Sequence, residues 1–359
     1  MAISPTEAHY IIESSLHDFR IDGRSRLEHR PYSISTKSNN STSSSTAVSS
    51  SLILSNGSSR IHLPGSTTDI LCSVKADLVR PSPNKPNEGV VEVSVDSSLA
   101  GGLDIVKNSN AGAQKRQLRE RESTITSLLQ RLVVPHAVNY KALVISPGKY
   151  VWRLCVDIVV LRCDGCVLDA CAMAMREGLR STLLPRVSAV VRSDDKDGFA
   201  SQGGGSSNND LIVEGDIRKA LPPSGAEECP LVVTLSILSA PQEERIRHFC
   251  IVDARTEEEV CASSRVCVSV DPNGMVCGVH TLGGGGIVDE AMNEEFGVEG
   301  FGISSSMPMN MLSEVVNTAG GAAKNLYQLL DSEKFAGDSK AEDDGSGYGY
   351  LLQNQLIIQ

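Results

Sequence analysis

Apolar residues recur along this chain with two different periods, and the changes of period mark its elements. A helix is expected over Pro5–Leu16, followed by an Asp22-Gly23 turn and a basic stretch ending at Arg30-Pro31. From Ser59 alternation takes over: Arg60-Ile61-His62-Leu63, then Ile70, Cys72, Val74, Ala76 and Leu78 on one face of a long strand, then Val91, Val93 and Val95. Three such strands in succession predict an antiparallel meander. Between Gln114 and Leu132 the period becomes helical, with Leu118, Ile125, Leu128, Leu129 and Leu132 on one side. The next strand alternates Trp152, Leu154, Val156, Ile158 and Val160 with Arg153, Cys155 and Asp157. It turns at Asp164-Gly165 into an Ala- and Met-rich helix over Leu168–Arg180.

A second series repeats the strand-then-helix order. Strands are expected at Leu231–Leu238, Phe249–Asp253, Val266–Val270 and Met275–Val279, the last two joined by Asp271-Pro272-Asn273-Gly274, a hairpin signal. A last helix carries Leu312, Val315, Val316, Ala319, Ala323, Leu326 and Leu330 on one stripe. The expected class is α+β, in two β-then-α halves. Residues 1–34 form the opening helix and turn, and 35–51, almost all Ser, Thr and Asn, a disordered insertion inside a hairpin. The halves occupy 52–192 and 211–330, with a flexible linker over 193–210 and an acidic tail over 331–359.

Composition narrows the class. With 33 Lys+Arg against 44 Asp+Glu the 359 residues carry a net charge of −11, which disfavours a basic coat for duplex nucleic acid, so any RNA contact is local. No basic-then-apolar leader with a small-residue cleavage site opens the chain, and no run of about 18 apolar residues occurs. The protein is therefore expected to be intracellular, with no membrane association. Cysteines such as Cys72, Cys155, Cys250, Cys267 and Cys277 stand singly in apolar runs, as small buried hydrophobes rather than disulfide partners.

Several short motifs, in order, carry a resemblance. Arg20-Ile21-Asp22-Gly23-Arg24 with Arg30-Pro31, and Gly57-Ser58-Ser59-Arg60-Ile61-His62-Leu63 with Thr68-Asp69-Ile70-Leu71, resemble the opening of the ribonuclease PH family. Val74-Lys75-Ala76, Lys85-Pro86-Asn87-Glu88-Gly89, Asp164-Gly165 and Ile251-Val252-Asp253-Ala254 with Glu257-Glu258-Glu259 are similar to the non-catalytic ring subunits of the eukaryotic RNA exosome. The resemblance implies a ribonuclease PH-type fold of duplicated βαβα units with mixed sheets and packed helices. It also implies a six-membered ring of related subunits with cap subunits, single-stranded RNA passing through its pore, no cofactor, and a place in nucleus, nucleolus and cytoplasm. Active relatives cut RNA from its 3′ end by phosphorolysis.

Phosphorolysis brings anionic phosphate to an anionic diester and needs fixed positive charge and N–H donors. Active relatives supply them from a Gly-Thr-Arg turn that opens a helix, whose N-terminus adds to the anion site. Here the resemblance places Val167 and Leu168 at the Thr and Arg positions, and Asp169 is expected to add repulsion. The relatives' Ala-Asp-x-Asp motif, for proton transfer or metal binding, falls on Ala262-Ser263-Ser264-Arg265, so Ser263 and Arg265 stand where carboxylates belong. No catalytic residue and no metal site are therefore expected. An active phosphate-dependent 3′-to-5′ exoribonuclease is the alternative that these positions disfavour, and a member of the fold serving as a binding module elsewhere is a third reading.

Other signals are weaker. Cys163-Asp164-Gly165-Cys166 lacks a second ligand pair for zinc, and Gly283–Gly286 lacks the Gly-Lys-Ser/Thr of a phosphate loop. Glu257-Glu258-Glu259 is expected to be a solvated acidic turn or a docking patch for a basic neighbour. Lys115, Arg116, Arg119 and Arg121 form a basic run that either is a solvated helix face or contacts RNA phosphates without reading sequence.

Overall fold

The computed structural model describes residues 3–36, 55–63, 67–97, 111–190, 210–242, 245–283 and 309–337. The Ser-rich stretch beyond residue 36, most of the 193–210 segment, the glycine run Gly283–Gly286 beyond its first residue, and the acidic tail beyond residue 337 lie outside these; Ser35 and Thr36, expected in a disordered insertion, instead pair with Arg60 and Ser59 in a strand. Helix α1 spans Pro5–Leu16, as its pattern predicts, with the Ser4 hydroxyl accepting from Glu7 N–H at its start. Strands β1 (Ser33–Thr36), β2 (Gly57–His62), β3 (Asp69–Val79), β4 (Val90–Asp96), β5 (Val144–Ser146) and β6 (Tyr150–Arg162) form the first sheet, in the order β1-β2-β3-β6-β4 with β5 on β6.

The expected meander is wrong at β4. This strand pairs in parallel with β6, Val93 opposite Val156, and β6 separates it from β3. Parallel neighbours need a long crossover, and helix α2 (Ala111–Leu132) supplies it. The alternation misled because Glu92 and Ser94 face solvent while Val91 and Val93 are buried, a pattern that an antiparallel strand shows equally.

Helix α3 (Val167–Arg180) is buried from Val167 to Leu179. Ser59 Oγ donates to the Ala174 carbonyl at 2.6 Å on the first-sheet side, and Gly178 passes so close to Cys72 that a Cβ there would lie 2.8 Å from its sulfur. On its other side α3 meets the second sheet, order β10-β9-β11-β12, made of β9 (Leu231–Gln242), β10 (Arg245–Val252), β11 (Ser264–Val270) and β12 (Val276–Gly283). Leu231, Val232 and Cys267 accordingly belong to the same apolar core as Leu154 and Met175. The two halves thus share one buried helix.

Between the halves, β7 (Val187–Val190) and β8 (Asp210–Val213) pair antiparallel, so the segment between them leaves and re-enters through a two-stranded ribbon. On the far face of the second sheet α5 (Met309–Gly337) packs Val315, Ala319, Ala322 and Ala323 on Val233, Leu235, Val266 and Val268. On its near face α1 packs Ile11 and Ile12 with Leu238, Phe249 and Ile251. The Asp271–Gly274 turn joins β11 to β12 as expected, with Gly274 at φ +83°. No described helix is long and apolar enough to cross a membrane.

Candidate functional site

The turn from β6 into α3 is clamped against the second half. Gly165 sits at φ +75°, and a Cβ there would stand 2.1 Å from the Ala254 carbonyl oxygen, so only glycine fits. Asp164 N–H donates to Thr68 Oγ1 (2.9 Å), while its carboxylate accepts from Arg255 Nε (3.2 Å) and Thr256 N–H (3.4 Å). A short helix α4 (Thr256–Cys261) begins there. The enclosed space under the turn, bordered by His29, Arg30, Thr68, Cys166, Asp169 and Asp253, amounts to about 10 Å³, roughly one water.

Val167 and Leu168 are both buried in the first turn of α3. Asp169 does not repel at this turn, contrary to expectation. It points onto β9, where Thr234 donates its N–H (2.8 Å) and hydroxyl (2.5 Å) to the carboxyl. Burial pushes Asp169 up to about 8 despite those bonds, so it is largely neutral at pH 7.

The N-terminus of α3 already has an anionic partner. Cys166 N–H donates to Glu259 Oε1 at 2.8 Å, and Glu259 Oε2 lies 3.4 Å from Arg265 Nη1. Glu258 is fully buried and takes Arg20 in a two-pronged ion pair, through Nε at 2.8 Å and through Nη2. The acidic run is therefore not a solvated turn. It forms α4, and all three of its carboxylates engage arginines of this chain, Glu257 with Arg255 at 3.8 Å, because the β10–α4 junction lies directly on the opening turn.

Ser263 and Arg265 sit at the start of β11 beside this carboxylate. Ser263 donates its N–H (2.8 Å) and its hydroxyl (3.0 Å) to Ile237 O, and Arg265 lies across from Ser236 on β9. Neither offers a cation a carboxylate, and no group of three or more His, Cys, Asp or Glu that could hold a metal occurs among the described residues. Two buried atoms here lack a hydrogen-bond partner, Ser236 Oγ and Arg265 Nε. Ser236 stands on β9 between Thr234, which binds Asp169, and Leu238, which packs with Cys166.

The sequence pattern marks the opening arginines as a motif without revealing their role. Arg30 donates to Asp253 from its backbone N (2.7 Å), Nε (2.9 Å) and Nη2 (2.6 Å), and to Asp164 O (2.6 Å); Arg24 adds a bond to Asp253 at 3.1 Å. Burial alone raises the Asp253 carboxyl, but the hydrogen bonds and charge of Arg30 outweigh it and hold the group at about 2. The available signal was an Asp253 followed by acids, lying far in sequence from a cluster of arginines; nothing local pairs them.

Of the basic run, Arg121 reaches this site, its Nη2 standing 3.4 Å from Cys163 Sγ at the end of β6. Arg116 pairs with Glu120 (3.0 Å), and both are well exposed; Arg119 is exposed and Lys115 lies on the same helix. The ten cysteines are free.

Two strand-and-helix halves fused through a buried helix, with a glycine turn pinned between them, are the architecture of an RNase PH-type protein. Sequence profiles agree: domain 1 of the 3′ exoribonuclease family matches residues 28–185, and domain 2 matches residues 241–295. The chain belongs to the 3′ exoribonuclease family. It is 24% identical over 332 residues to a Dictyostelium discoideum protein named after the exosome complex exonuclease RRP42, covering 81% of this chain and 91% of that one. It is 25% identical over 280 residues to the Sulfurisphaera tokodaii exosome complex component Rrp42, covering 75% and 80%. Among solved structures, an archaeal exosome core aligns with TM-score 0.54 and 20% identity over 89% of this chain and 94% of the other. An Archaeoglobus fulgidus exosome with RNA bound to the active site aligns with TM-score 0.54 and 21% identity over 91% and 98%. These structural matches establish the fold.

Proposed function

We propose that this chain is a ring subunit of an RNA exosome that shapes the RNA path and cuts nothing itself. The observation that carries this reading is the Glu259 carboxylate on Cys166 N–H, at the helix end where phosphorolysis requires an oxyanion. Phosphate arriving there would meet a fixed negative charge, the apolar Val167 and Leu168, and space for about one water. Ser263 and Arg265 replace a carboxylate pair with a bound hydroxyl and a cation, so neither proton transfer nor a metal has a donor.

The named relatives and the exosome folds support the ring, and so do exposed apolar side chains such as Met275, Val276 and Val279 on and beside the edge strand β12. Ring and cap subunits and single-stranded RNA are its proposed partners, and nucleus, nucleolus and cytoplasm its proposed sites. Native mass spectrometry of the complex captured through this chain tests the assignment. A particle containing six related ring subunits is expected, and a soluble monomer indifferent to such relatives would overturn it.

A further inference from the structure

At the opposite end of β6 from Cys166, a groove of about 870 Å³ opens between the β3–β4 connection and the segment after α2. Val90, Val134, Pro135, Val138 and Tyr140 give it an aliphatic floor with one aromatic, whose hydroxyl is occupied by a bond to Val134 O. Its rim is cationic. Lys85 and Lys141 line it, and a bond from Gly148 N–H to Pro86 O (3.1 Å) seats Lys149 alongside. Val79 pairs with Val151, which brings Arg80 to the same turn. All four side chains are exposed; Lys85 pairs with the half-buried Glu88 at 2.9 Å, and among the described residues Arg80, Lys141 and Lys149 have no ion pair. This is a local excess of positive charge on a protein of net charge −11.

We propose that the groove is a docking site for residues 338–359 of this chain. That segment has the complementary chemistry in order: Asp338, Glu342, Asp343 and Asp344, then Tyr348, Tyr350, Leu351 and Leu352, then Leu356, Ile357 and Ile358. Acids match the lysine rim, and aliphatic side chains match a floor poor in stacking surface, which argues against nucleobases as the main occupant. The approach is short. Near the end of α5, Asp331 lies 3.4 Å from Arg180, Arg180 pairs with Glu227 at 2.6 Å, and the adjacent Ser224 carbonyl accepts from Asn139 N–H (2.8 Å) in the groove wall. A chain of this length stretches to at most about 75–80 Å, and tethering supplies an effective concentration on the order of millimolar.

Zero-length carbodiimide coupling of the full chain at sub-micromolar concentration, with peptide mapping, tests the proposal. Isopeptide links from Lys85, Lys141 or Lys149 to Glu342, Asp343 or Asp344 are expected within single chains. Lys141→Glu combined with Lys149→Glu should reduce them at least tenfold, while circular dichroism shows the fold intact. Links found only in cross-linked dimers would overturn the proposal in favour of a second copy. Absence of such links, or photocrosslinking of the groove to oligouridine with unchanged efficiency when residues 338–359 are deleted or present, would overturn it in favour of RNA or of no occupant.

Discussion

Glu259→Ala removes the carboxylate that accepts from the Cys166 N–H at the N-terminus of α3. The Cys166 N–H would lose its 2.8 Å acceptor, and an orphaned buried donor costs about 1–3 kcal/mol. Arg265, whose side chain is 28% exposed, would lose an ion pair at 3.4 Å that contributes at most about 1 kcal/mol. The sum centres on about 2 kcal/mol, or a fall in Tm of roughly 4–8 °C. The vacated helix end, with Ser236 Oγ and Arg265 Nε already unpartnered, would then accept a small oxyanion. At about 100 mM phosphate, a site with Kd near ~10 mM restores about 1.4 kcal/mol. Thermal melts of wild type and variant in phosphate, against sodium chloride of equal ionic strength, measure this. An unchanged Tm in the variant, or rescue by chloride equal to that by phosphate, would refute Glu259 as the ligand of that helix end.

Gly165→Ala should unfold the junction of the halves, by about 3–5 kcal/mol in urea titrations, because its Cβ meets Ala254 O at 2.1 Å and φ is +75°. Asp253→Ala strands Arg24 and Arg30 and should cost about 3–5 kcal/mol. Asp253 is held at about 2 in the folded chain, below the ordinary value near ~3.9, so its contribution is present above about pH 4 and lost as pH falls towards 2. Urea melts across that range should show the decline in wild type and a flatter profile in Asp253→Asn. Asp169 works in the other direction: raised to about 8, it destabilises progressively as pH rises from about 4 through 8, and Asp169→Asn should remove that slope. Replacing Lys115, Arg116, Arg119 and Arg121 with Gln should weaken RNA binding by the assembled ring equally for unrelated sequences. The salt slope should drop by about 0.7 for each phosphate interaction removed, and an unchanged slope would mean a solvated helix face.

Elements with strong periodicity were legible from residues alone. Helix α1 and the long strands β3 and β6 fall where their patterns place them, because one face of each is buried against a single layer. The parallel pairing of β4 was not legible, since Val91 and Val93 alternate with Glu92 and Ser94 in either orientation. Glu258 and Glu259 read as solvated because three acids in a row are usually exposed; only the fold brings Arg20 and the α3 turn across from them. Asp169 shows the same limit: its sequence neighbours suggest a charge at the turn, whereas its spatial neighbour, Thr234, makes it a buried hydrogen-bonded acid. Motif order was informative about the family, and side-chain roles depended on contacts between the two halves.

The most direct test of a silent ring subunit is nucleoside diphosphate release from single-stranded RNA by the purified chain in magnesium and inorganic phosphate. Under the proposed function no release above background is expected, with Glu259 occupying the helix end beside Val167 and Leu168 and with Ser263 and Arg265 standing where carboxylates are expected. Phosphate-dependent trimming that follows this chain through rigorous purification, and disappears when it is removed, would contradict that assignment.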